Sequence, residues 1–133
     1  MTHGGRQKNF EWQLVGEDIF IKNEDSKTHL YSLSETFEII QWLSGRFGKG
    51  WFPLANNVAL MGSGDEKDGL GTAILSISRN DITHAQGSSY LGVVLDQVGV
   101  FEWNGAKRGI QWRLVKIPKS IDNLRQAFKP YSS

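Results

Sequence analysis

A chain of 133 residues with 39% hydrophobic and 22% charged residues has the make-up of one globular domain. It carries no cysteine, which excludes a disulfide framework, a thiol nucleophile and a thiolate zinc site. Its net charge of +1 hides a split: residues 101–133 hold seven basic and two acidic residues, a balance of +5, and residues 1–100 hold eight basic and twelve acidic ones, a balance of −4.

In chain order, the first predicted elements are strands. Phe10, Trp12 and Leu14 fall on one face at period two. Val15-Gly16-Glu17-Asp18 reads as a turn, Ile19 to Ile21 as a second short strand, Asn23 to Lys27 as a polar loop and His29 to Leu33 as a third strand. A small antiparallel meander of this kind needs something to pack on. Ser34 is expected to cap a helix, with Glu35 at the positive end of its dipole. Phe37, Ile40 and Leu43 give that helix an apolar side, which Ile39 and Trp42 widen, until Gly45, Gly48 and Gly50 dissolve the pattern.

Pro53 is well placed as the first residue of a short helix, PLANNVALM. Gly62 to Gly71 reads as a flexible acidic loop. Thr72 to Ser78 fits a short helix or a strand equally. Asp81 or Thr83 then caps a helix running to about Gln97, with Leu91, Val94, Leu95 and Val98 within about one third of its circumference. Gly99 stops it. Two alternating strands follow, one with Phe101 and Trp103, the other with Ile110, Trp112 and Leu114. Asn104-Gly105 marks the turn between them, and Lys107 and Arg108 sit on the protruding tip. Trp103 and Trp112 are expected to face one another across the ribbon. Pro118 ends it, and Ser120 caps a last helix with Ile121, Leu124 and Phe128 on one side.

The charge split fits a positive face aimed at a polyanion, or a solvated basic tail. The polar face of the 84–97 helix carries Gln86, Ser89 and Val93, with Tyr90 at its border. Glutamine can pair with adenine, serine suits base edges or phosphates, and valine can touch a thymine methyl. That face can equally meet water. Other signals are weaker. GRFGKGW (45–51) lacks the spacing of a phosphate-binding loop, the 65–68 carboxylates lack that of a calcium loop, and His3, His29 and His84 are scattered. No cofactor, metal or catalytic group is expected. No apolar run reaches the length of a membrane span, and MTHGGRQKNF lacks the apolar segment of a secretory signal, so a cytoplasmic location is expected.

From Thr83 to Val115, and extended back over 53–117, the chain resembles the winged helix-turn-helix superfamily. The residues that carry the resemblance are a polar cap, small residues, Tyr90-Leu91, an apolar stripe, Gly99-Val100, a strand, Asn104-Gly105, the basic tip and a second strand. The resemblance implies an α+β fold, a winged-helix core (34–117) with an N-terminal antiparallel β-meander (1–33) and a short C-terminal helix (118–133), together one structural domain. It implies supporting helices near 53–61 and 70–79, a recognition helix over 84–97 and a wing over 100–115. The glycine-rich loop 62–71 departs from the usual short connection. The function implied is a small transcriptional regulator without catalytic activity that binds double-stranded DNA. Gln86, Ser89, Tyr90 and Val93 would face bases, and Thr83, His84, Ser88, Lys107, Arg108 and Arg113 would hold the backbone. A homodimer would double the contacts, through the last helix or the meander. Two other readings stay open: a protein–protein adaptor on the same scaffold, and a metal- or ligand-binding α+β domain that uses loop 62–71.

Overall fold

The computed structural model describes residues 9–55, 68–78, 82–106 and 108–131, with only the backbone of Ile82, Thr83 and Tyr131. The chain is a mixed α+β fold with two three-stranded antiparallel sheets. The first is the meander: β1 (Phe10–Val15), β2 (Asp18–Asn23) and β3 (Thr28–Ser32), paired in sequence order. Its inner face carries Leu14, Ile19, Ile21 and Tyr31, all buried, and its outer face alternates with them. The Asn23 side chain shapes the β2–β3 loop by accepting from the N–H groups of Asp25 and Lys27, each at 3.0 Å.

Helix α1 spans Leu33–Phe47. Its cap is Ser32 and not Ser34: the Ser32 hydroxyl accepts from the Glu35 N–H at 3.0 Å. Ser32 and Glu35 have the Ser-x-x-Glu spacing of a helix start, two residues ahead of the expected one. Gly45 lies inside the helix, which ends at Gly48 with φ 58°. Pro53 starts no helix. It belongs to β4 (Phe52–Pro53), the edge strand of the second sheet, where its missing N–H costs no ladder bond. Most of the acidic loop and the expected helix after Pro53 (residues 56–67) lie outside the described residues.

Leu70–Ile77 forms a helix, α2, largely buried. The single helix expected to run from residue 84 to 97 is two: α3 (Ile82–Gln86) and α4 (Ser88–Gln97), broken at Gly87. Gly87 is buried against the Tyr31 hydroxyl and the His29 ring, which a Cβ would strike. The hairpin follows, β5 (Phe101–Trp103) and β6 (Gln111–Leu114), with Trp103 opposite Trp112. β6 is the centre of its sheet, flanked by β4 and β5. Ser120 caps α5 (Ile121–Phe128) by accepting from the Asn123 N–H at 3.1 Å. The buried side chains of both sheets and of α1, α2, α4 and α5 form one continuous cluster.

Candidate nucleic-acid interface

The corner where α3 meets α4 collects most of the residues expected to approach DNA, and much of it faces inward. Tyr90 is 7% exposed, Val93 2% and Ser88 fully covered. For Tyr90 the cause is the N-terminal sheet. Tyr90 meets the Phe10 ring edge-on at 5.1 Å and the His29 ring at 5.4 Å, and its hydroxyl oxygen accepts from the Asn23 side-chain amide at 3.5 Å. At the last residue of α4, the Trp12 indole N–H donates to the Gln97 side-chain oxygen at 2.7 Å. Tyr90 is thereby covered, while Ser89, Asp96 and Gln97 keep part of their exposure, and the buried Ser88, Tyr90 and Val93 are not open to a base or a phosphate in this arrangement. The Ser88 hydroxyl has no hydrogen-bond partner among the described residues.

His84 is also turned inward. Its Nε2 contacts the Glu35 carboxylate, and its ring lies on that of Tyr31 at 4.3 Å between centroids. The Tyr31 hydroxyl donates to the His84 carbonyl at 2.7 Å. His29 stands behind, its pKa lowered by burial first and then by the nearby His84 and Lys27. These contacts tie β3 and α1 to the α3–α4 corner. The His84 side chain is 18% exposed and is engaged here by Glu35 and Tyr31. Glu35, Tyr31 and His29 were not singled out from the sequence as partners of His84. The available signal was His29 and Tyr31 two apart on the inner face of a strand.

What remains toward solvent is a narrower set. Gln86 is exposed at the end of α3, and Ser89 is half-buried. The side chain of Thr83 and all of Lys107 lie outside the described residues. Arg108 is exposed on the hairpin tip. The Asn104 side chain ties that tip down: its amide donates to the Gly109 carbonyl at 3.1 Å and its oxygen accepts from the Ala106 N–H at 3.1 Å. The Trp103 indole donates to the Ala106 carbonyl at 3.0 Å. Arg113 is engaged by its own sheet. Its Nη2 lies 2.6 Å from Glu102 Oε1, and its guanidinium sits over the exposed Trp51 ring at 4.8 Å.

Near the other end of α4, burial raises the pKa of Asp96 against a backbone N–H bond from Trp103, and Glu102 adds to the rise. At the edge of the acidic loop, Asp68 pairs with Arg46 at 3.4 Å. Among the described residues no group of three or more His, Asp or Glu side chains is placed to hold a metal ion, and no helix is long and apolar enough to cross a membrane. Comparison with family models, with curated proteins and with solved structures finds no match for the chain.

Proposed function

We propose that residues 33–114 are a winged helix-turn-helix unit that binds double-stranded DNA without catalysis, as a small transcriptional regulator does. The observation that carries the reading is connectivity. The order α1, β4, α2, α3–α4, β5, β6, with β6 between β4 and β5, is the succession of helices and wing strands that such a unit requires. α1 takes the part expected of a helix after Pro53, and β4 supplies the third strand. DNA meets the α3–α4 corner and the hairpin tip, not the length of α4. Gln86 and Ser89 approach base edges, while Thr83, Lys107 and Arg108 approach phosphates.

Lys107→Ala combined with Arg108→Ala tests this. Affinity should fall alike on all sequences, and the log–log salt slope should shrink by about 2. An unchanged slope would take the wing out of the interface.

A second reading has its own support. Tyr90, on the border of the α4 face that would enter a groove, is covered by the N-terminal sheet, as in a scaffold that serves protein contacts instead. Full-length protein that passes through heparin unretained at low salt, yet holds a defined protein partner, would favour this adaptor reading.

A further inference from the structure

We infer that the outer face of the N-terminal sheet is a surface on which a second copy of this chain docks. The face is apolar at its centre. Phe20 and Leu30 are register partners on β2 and β3, 38% and 49% exposed, and Val15, 51% exposed, lies diagonal to Phe20 on β1. The apolar faces that a last-helix dimer would need are spent elsewhere: Leu124 and Phe128 are fully buried within their own chain.

Charge selects the occupant and its orientation. Two residues either side of Phe20 on β2 stand Asp18 and Lys22, on the same outer face. A two-fold axis across the strands through Phe20 lays Phe20 on its symmetry mate and Leu30 on its own. It brings Lys22 of each copy over Asp18 of the other. Glu11, opposite Lys22 on β1, comes over Val15 of the other copy at the edge of the contact. The other two-fold, along β2, sets Lys22 against Lys22 and Asp18 against Asp18, and puts Leu30 over Gln13. Only the first arrangement sets Lys22 against Asp18 and Leu30 against Leu30. Three strands and five residues of length give a face of roughly 250 Å². A tight dimer buries about 800 Å² per partner, so this dimer is weak and set by concentration.

The inference does not depend on DNA binding and is tested without DNA. Sedimentation equilibrium of the full chain from about 10 µM to about 1 mM should show monomer and dimer in exchange. Lys22→Glu alone and Asp18→Lys alone should each weaken the dimer about tenfold or more, and the two together should restore it. Phe20→Ser should abolish it, with circular dichroism showing an unchanged fold. A monomer throughout the range overturns the inference. So does a dimer that Phe20→Ser and both charge reversals leave intact, or a double reversal that fails to recover association while the chain stays folded.

Discussion

Gly92 of α4 lies directly on the indole of Trp112, so close that a Cβ at position 92 would enter the ring. The contact sets how near α4 comes to the central strand of the second sheet. Trp112 is fully buried and has no room to retreat. Gly92→Ala gains about 1 kcal/mol of helix propensity, but overpacking of this kind costs about 1–3 kcal/mol. The net result should be a destabilised protein, measured by urea unfolding. Trp112→Phe, which removes the benzo ring that Gly92 touches, should make the same substitution far less harmful. A double-mutant cycle will show that coupling.

The half-buried His29 makes stability depend on pH. Its folded pKa lies below 6.5, so the unfolded chain binds the proton more readily. The contribution of neutral His29 is fully present above 6.5 and is lost as pH falls through that value toward the lower, folded one. The unfolding free energy should therefore drop from pH 7.5 to pH 5. His29→Gln should flatten the part of the curve that this residue supplies, as read from denaturant titrations at several pH values.

Asp96 has the opposite sign. Its folded pKa is raised above 3.8, chiefly by burial, so the folded chain holds the proton more tightly. The cost of ionising it in the folded state appears as pH rises above 3.8. Asp96→Asn keeps an oxygen to accept the Trp103 N–H and removes the charge. It should raise the melting temperature at pH 7 and leave it nearly unchanged near pH 3.5, where both carboxyl and amide are neutral.

The Arg113–Glu102 pair is exposed, and such pairs contribute about 0–1 kcal/mol. Glu102→Gln should thus cost little stability while releasing Arg113 from its carboxylate. If the wing binds DNA as proposed, the released guanidinium becomes a further phosphate contact. Affinity should rise and the salt slope should steepen by about 1. Equal slopes for the two proteins would show that Arg113 lies away from the phosphates.

Much of the secondary structure was legible because local rules govern it. Period-two alternation marked β1, the Val15–Asp18 turn and the Asn23–Lys27 loop set off β2 and β3, Asn104-Gly105 marked the hairpin, and Ser120 marked the start of α5. The reading of α4 failed in an informative way. Its stripe of Leu91, Val94 and Leu95 does face the core, and helical periodicity shows that much. Periodicity is silent about a second covering layer, supplied by residues some 70 positions away in sequence, from Phe10, Asn23 and His29 onto Tyr90. The break at Gly87 is long-range too, since the Tyr31 and His29 side chains fill the space a larger residue would need. Pro53 misled for another reason. Its fixed φ suits a helix start and an edge strand alike, and only pairing of Phe52 with Trp112 decides between them.

The continuity of the buried cluster from β1 to α5 has a practical consequence. A fragment trimmed to begin near residue 34 would strip Tyr90 of Phe10 and His29, Phe128 of the Trp12 ring that abuts it at 5.8 Å, and His84 of Tyr31. The N-terminal sheet is one wall of the interior and not an appendage to it. Shortened versions would be sticky and half-folded, and an assay performed on them would report on the wound rather than on the protein.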